Sequence, residues 1–261
     1  MPTILITGAN GFVGKNLQLH LSERKDVQVR CFTRANIVDA LPALLDGADF
    51  VFHLAGVNRP QDPAAFVVGN AGLTQALCTA LAQVATTTGR KVPVAFASSI
   101  QAAQDNAYGQ SKRAAEDALF ALQHEYGVPV HVFRLPNVFG KWARPNYNSA
   151  VATFCHNTAR GLPITVNDPA ASLTLVYVDD VVQRFIHLLD GADAALDAAG
   201  FATVAPQYST TVGALAAQIQ AFKESRNNLV TERVGTGLVR ALYSTYVSYL
   251  PVEEFAYTVP Q

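Results

Sequence analysis

The feature that most constrains this chain is Gly8-Ala9-Asn10-Gly11-Phe12-Val13-Gly14, because it lies between a buried strand and a helix. Thr3 to Thr7 (TILIT) is a short run of aliphatic and β-branched residues, and Phe12 to Glu23 reads as a helix. At such a junction Gly8 permits the tight turn, Gly11 lets the backbone approach a pyrophosphate, and Gly14 lets helix and strand pack closely. Asn10, Phe12 and Val13 complete the loop and the helix start, where free N–H groups and the helix dipole favour phosphate.

The strand–helix rhythm then repeats. Strands are expected at Val27 to Phe32, Asp49 to Leu54, Val92 to Ser98 and Val130 to Leu135. A long helix or helix pair covers about Pro63 to Thr87, and another helix about Tyr108 to Tyr126. Apolar strand runs alternating with helices predict an α/β fold, a Rossmann-type doubly wound parallel sheet covered on both faces. After Asn137 the pattern changes. Gly140 to Asn148 (GKWARPNYN) is rich in turn formers and polar groups and reads as a functional loop. A helix near Asn148 to Arg160, a strand near Leu173 to Val178, and helices near Asp179 to Leu189 and Thr211 to Ser225 follow. The last twenty residues carry Tyr243, Tyr246, Tyr249, Phe255 and Tyr257, rings expected to be buried.

Composition narrows the function classes. With 19 Lys and Arg against 20 Asp and Glu, the formal charge is −1, which excludes a generally basic nucleic-acid binder. Three cysteines without a CxxC suit a reducing compartment, where they act as small hydrophobes. No unbroken apolar run reaches membrane length and the N-terminus has no basic leader, so the expectation is a cytoplasmic chain without membrane insertion. His20, His53, His124, His131, His156 and His187 are scattered, without an HxH or HxxxH pair, so no metal site is expected.

Two further patterns carry chemistry. The second strand ends in Thr33-Arg34, with no acid to accept a ribose 2′-hydroxyl and with a cation suited to a 2′-phosphate, so NADPH is expected rather than NAD. Tyr108 and Lys112 stand at i and i+4 on one helix face, downstream of Ser98 and Ser99 at the carboxyl edge of a strand. A carbonyl that receives hydride becomes an alkoxide and needs a proton. A phenol beside an ammonium can supply it, and a serine hydroxyl can hold the oxygen.

Those residues resemble the extended short-chain dehydrogenase/reductase family, which modifies nucleotide sugars. Within it the chain is most similar to the reductase domain of CapF-type enzymes of capsule and O-antigen synthesis. The resemblance rests on FVFHLAGVNRPQ (Phe50 to Gln61), SSIQAAQDNAYGQSK (Ser98 to Lys112), RLPNVFGKWARPNYNSAVATF (Arg134 to Phe154), YVDD (Tyr177 to Asp180) and LYSTYVSYLP (Leu242 to Pro251). It implies Ser99, Tyr108 and Lys112 as the catalytic set, with Lys112 also holding the nicotinamide ribose. His53, Leu54, Ala55 and Gly56 would line the cofactor, Asn70 would support the active-site backbone, and Pro136 and Val138 would pass under the nicotinamide. Asn137 would reach the substrate phosphates, and Asn58, Arg59, Lys141, Asn146 and Asn148 the sugar or pyrophosphate. Leu173-Thr174 stands where many relatives carry Arg-Asp, so a phosphate contact made there is not carried over.

The resemblance also implies an NADP-binding domain over 1–165 plus about 178–200, and a small C-terminal substrate-binding lobe from about 140–178 and 201–261. It implies a homodimer, formed through a helix such as Ala64 to Ala85, and a C-terminal cupin-type domain of full-length relatives that is absent here, as in a truncation or lone-domain relative. The implied reaction is reduction of the C4 ketone of a UDP-linked 4-keto-6-deoxy-N-acetylhexosamine, giving an L-talosamine-type product on the route to UDP-N-acetyl-L-fucosamine. Ile100-Gln101 after Ser99 lack the acids of a 4,6-dehydratase. The alternatives are a 4-epimerase, which recycles bound NAD, and a non-catalytic NADP(H)-sensing or scaffold protein, which would not need the Tyr-Lys pair.

Overall fold

Every residue of β1 (Thr3–Thr7) is buried, as a short β-branched run does when both faces of its sheet are covered. In this computed structural model, which describes residues 1–62, 64–228, 230 and 232–255, β1 is an inner strand of a five-stranded sheet. The order is β2-β1-β3-β4-β5, formed with β2 (Gln28–Phe32), β3 (Phe50–His53), β4 (Val94–Ser99) and β5 (Val130–Leu135). All four pairings are parallel. The order reverses between β1 and β3, so the segments leaving those strands flank the crevice where open α/β sheets bind ligands.

The chain divides into two compact units, 1–135 with 182–204 and 136–181 with 205–261. In the first, one sheet face packs Leu5, Val51 and Phe96 against α2 (Leu41–Leu45), α4 (Leu73–Thr88) and α5 (Ala107–Tyr126). α1 (Phe12–Ser22) follows the glycine loop. Phe185, from α7 (Val178–Leu189), has its ring 5.4 Å from Phe52 and 5.1 Å from Phe133. The expected helix near Pro63 to Thr87 is a short α3 (Ala64–Phe66), a π-turn (Val67–Gly72) and α4; Pro63 itself lies outside the described residues. No membrane-length apolar run was expected, yet this stretch, Ala64–Thr88, is long and apolar enough to cross a membrane by length and composition alone. Its buried Leu77, Cys78, Ala80 and Leu81 pack into the core of the first unit.

The second unit holds a three-stranded sheet in the order β6-β7-β8, from β6 (Asn137–Phe139), β7 (Ser172–Tyr177) and β8 (Tyr208–Thr211). β6 and β7 are parallel, and β7 and β8 antiparallel. Its core joins α6 (Ala150–Ala159), α8 (Val212–Asn228) and α9 (Gly237–Val247) through Phe154, Cys155, Ile219, Phe222 and Tyr246. The sequence-based boundary at 165 differs from the exchange at 135, because α6 buries its apolar face in this second core. Tyr243, Tyr246 and Tyr249 pack there as expected. Phe255 does not: it is 61% exposed on the last described turn, beyond Leu250 and Pro251. Tyr257 lies outside the described residues.

Phe185→Ala should lower stability by about 3–5 kcal/mol through the cavity it opens. At roughly 2–4 °C per kcal/mol for a chain of this size, the melting temperature should fall by about 10 °C. An unchanged melting temperature would contradict its place in this core.

Candidate active site

β1 feeds directly into Gly8, whose φ of +69° is left-handed. A Cβ there would fall 2.6 Å from the Ala55 nitrogen and 2.7 Å from the Leu54 carbonyl carbon. Glycine is therefore needed twice, for the backbone conformation and for the contact between the turn after β1 and the segment after β3. A Cβ on Gly14 would lie 2.4 Å from the Gly8 oxygen, which explains the close start of α1. The Gly11 N–H bonds to the Gly8 oxygen at 2.8 Å. Gly11 caps α1 without any side-chain hydrogen bond, and the first turn carries no acid. Its N–H groups are left for an anion, with Asn10 and Gly11 exposed and Phe12 and Val13 half-buried. This donor set, with glycine at positions 8, 11 and 14, fits a dinucleotide pyrophosphate. At the end of β2, the Thr33 N–H and hydroxyl both bond Asn36 Oδ1, at 2.8 and 3.1 Å, and Arg34 is exposed.

Behind the turn runs a buried chain of hydrogen bonds. The Ala55 N–H donates to Thr7 Oγ1 at 3.3 Å, Thr7 Oγ1 meets His53 Nδ1 at 2.7 Å, and His53 Nε2 meets Thr74 Oγ1 at 2.8 Å. The Thr74 hydroxyl donates to the Asn70 oxygen at 2.8 Å. Its one proton being used there, His53 must carry its proton on Nε2 and accept from Thr7 on Nδ1. His53 is thus 1% exposed with both nitrogens engaged, and its ring stands behind the expected cofactor lining. Burial, with the Lys112 charge nearby, pushes its pKa down to about 3. Asn70 is also fully used: Oδ1 accepts the Val57 N–H at 2.8 Å, and Nδ2 donates to the Val57 oxygen at 3.1 Å and to Ser111 Oγ at 2.9 Å. It sits in the π-turn, a device frequent at functional sites. It holds the exposed segment that includes Gly56, Asn58 and Arg59.

Tyr108 and Lys112 stand one turn apart on α5, which Asn106 caps by accepting the Gly109 N–H at 2.8 Å. Strand alternation turns Ser98 and Ser99 in opposite directions. Ser98 is buried, and its hydroxyl donates to Glu116 Oε1 at 2.5 Å. Ser99 is half-buried and accepts the Gln101 N–H at 3.2 Å. Burial pushes the Tyr108 pKa up, and the neighbouring Ser99 hydroxyl opposes that rise. Lys112 is 4% exposed; its ammonium donates to the Ala97 oxygen at 2.8 Å and lies 4.6 Å from the Phe96 ring centroid. Burial pushes it down to about 8, against the attraction of Glu116. The set can hold an oxygen between a serine and a phenol, with a cation close behind.

The other expected residues belong to the second unit. Pro136 is buried and Val138 half-buried. Asn137 donates to the Thr174 oxygen at 3.1 Å, and Lys141 pairs with Asp179 at 3.1 Å. Asn146 has φ +53° and bonds Thr153 Oγ1 through its N–H, and Asn148 is exposed. Sequence reasoning missed Thr7, Thr74, Ser111 and Glu116. The only signals were i, i+4 spacings, Asn70 to Thr74 and Lys112 to Glu116. Among the described residues no three His, Cys, Asp or Glu side chains gather as a metal site.

Residues 4–199 match the model of the NAD dependent epimerase/dehydratase family. The chain is 55% identical over 257 residues to the UDP-2-acetamido-2,6-beta-L-arabino-hexul-4-ose reductase of Pseudomonas aeruginosa, covering 98% of itself and 67% of that protein. It superposes with a TM-score of 0.84 on the capsular polysaccharide assembling protein CapF of Staphylococcus aureus, at 37% identity, over 98% of itself and 67% of that chain. The fold alone is shared with UDP-glucuronic acid 4-epimerase of Bacillus cereus in complex with NAD, at a TM-score of 0.77 and 16% identity, over 95% of this chain and 98% of that one. The chain thus spans about two thirds of the length of the first two.

The depressed His53 pKa has a consequence for stability. Between about 6.5 and about 3 the unfolded chain binds a proton that the folded chain refuses, so stability falls as pH drops through that window. His53→Gln keeps a donor and an acceptor between Thr7 and Thr74 and should flatten this slope in urea unfolding series. An unaltered slope would assign the acid sensitivity elsewhere.

Proposed function

The chain belongs to the NAD dependent epimerase/dehydratase family, and from that premise we propose that it is an NADPH-dependent reductase of a nucleotide-linked keto sugar. The substrate on this reading is a UDP-linked 2-acetamido-2,6-dideoxy-4-keto-hexose, the compound class named for the Pseudomonas relative. The product is a UDP-L-talosamine-type sugar, a precursor of UDP-N-acetyl-L-fucosamine for capsule or O-antigen synthesis, made in the cytoplasm by a homodimer. The observation that carries the reading is the placement of Tyr108 one helical turn from Lys112 on α5, with the buried ammonium bonded to the Ala97 oxygen near the end of the strand that carries Ser99.

When bound, NADPH supplies the hydride that reduces C4. The chain's residues do the rest. Ser99 holds the C4 oxygen, and Tyr108 gives it a proton as negative charge develops there. Lys112 steadies the phenolate left behind and orients the cofactor ribose. The loop Gly8 to Gly14 with the first turn of α1 would take the pyrophosphate, Thr33 and Arg34 the 2′-phosphate, and Leu54 to Gly56 the adjoining face of the cofactor. Asn58, Arg59, Asn137, Lys141, Asn146 and Asn148 are assigned to the sugar nucleotide, and Pro136 and Val138 to the nicotinamide. Net reduction consumes NADPH, which separates this reading from an epimerase and from a cofactor sensor.

Tyr108→Phe should lower NADPH oxidation with the UDP-keto sugar by at least a hundredfold, while NADPH still binds by fluorescence titration; turnover near the parental rate would sink the mechanism. Arg34→Ala should raise the Michaelis constant for NADPH about tenfold or more and leave that for NADH nearly unchanged. Equal effects on the two cofactors would refute the 2′-phosphate assignment.

A further inference from the structure

Glu116 is 1% exposed on α5, one turn beyond Lys112. Its carboxylate makes contacts that join three elements. Ser98 at the end of β4 donates to Oε1 at 2.5 Å. Arg134 of β5 donates from Nη2 to Oε2 at 2.6 Å, and from Nε to Oε1 and Oε2 at 3.1 and 3.2 Å. The Arg134 guanidinium lies 3.7 Å from the centroid of the Phe201 ring, which limits its freedom to leave. Lys112 reaches the same strand end by its bond to the Ala97 oxygen, next to Ser98. A buried ion pair usually contributes less to stability than a well-packed apolar pair would. A carboxylate at this depth therefore calls for a reason other than stability.

We propose that Glu116 is a positioning residue for the serine–tyrosine–lysine set, clamping the end of β4 to α5 so that Ser99 faces Tyr108, and holding Lys112 in its ammonium form. The inference rests on the catalytic reading above. The geometric half follows from strand alternation: with the Ser98 side chain tied to α5, the Ser99 side chain is directed the other way. The electrostatic half follows from what surrounds Lys112. On α5 it has Tyr108 and the Glu116 carboxylate, and on β3 the uncharged His53. Arg134 of β5 stands beyond Glu116 and is itself faced by Asp117 and Asp197. Removing the charge of Glu116 takes away the acid that, among the described residues, favours the ammonium, while the Arg134 cation beyond it stays in place.

The test compares Glu116→Gln, Glu116→Asp, Ser98→Ala and Tyr108→Phe with the parent as full chains checked for folding by circular dichroism. Two readouts are followed from pH 6 to 10: kcat for NADPH oxidation with the UDP-4-keto sugar, and the side-chain 15N NMR titration of Lys112, assigned through Lys112→Met. Glu116→Gln should move the alkaline limb of kcat and the Lys112 titration down by about one pH unit, and lower kcat about tenfold. Glu116→Asp should keep the parental titration, and Ser98→Ala should lower kcat without moving it. A folded Glu116→Gln with parental titration and kcat overturns the proposal. If that variant does not fold, Glu116→Gln combined with Arg134→Gln leaves no ion unpaired and must shift the titration in the same direction, or the proposal fails. Tyr108→Phe separates the two readings: retained turnover there rejects the catalytic assignment, while the Lys112 titration still decides the role of Glu116.

Discussion

The carboxyl edge of the five-stranded sheet depends on a buried hydrogen-bonded chain, from the Ala55 N–H through Thr7, His53 and Thr74 to the Asn70 carbonyl. An unpaired polar group at that depth costs about 1–3 kcal/mol, so each member constrains the next. The chain fixes the backbone after β3 against the turn after β1, where Gly8 leaves no room for a side chain. From Asn70 it continues through Ser111 to the backbone oxygen of Tyr108. One polar network thus runs from the glycine turn to the helix that carries the phenol and the ammonium.

On the other side of α5, the Ser98, Glu116 and Arg134 contacts hold the helix to β4 and β5. Lys112 lies between these two networks, with its ammonium on a backbone oxygen and an aromatic face. Burial lowers its pKa while a buried acid favours its charge. A cation so placed is poorly solvated and available to a developing negative charge, which is what proton donation by a neighbouring phenol requires.

What was legible in the sequence was local. The glycine loop, the short apolar strands and the Tyr108–Lys112 spacing declare themselves within a few residues, and they located the sheet and the candidate site. Only family register separates Ser99 from Ser98 in the sequence, and the Ser98 bond to Glu116 is not visible there. That Thr7 and Thr74 occupy both ring nitrogens of His53, a residue expected to line the cofactor, is not visible in the sequence. The network of Glu116 was hidden for the same reason: Ser98 and Arg134 each stand eighteen positions away and meet it only in the folded sheet. In the second unit, β6 and β8 have three and four residues, too short to show a period, and the pattern left α9 unassigned beneath a run of tyrosines.

The proposed reaction of this chain is a net hydride reduction at C4 of a UDP-linked keto sugar. The most direct measurement uses the purified protein with that sugar nucleotide and NADPH deuterated at C4 of the nicotinamide, read by 340-nm absorbance and product NMR. Net reduction consumes one NADPH per sugar and places deuterium at C4 of the product. A product that forms without consumption of cofactor, or that lacks the label at C4, would contradict it.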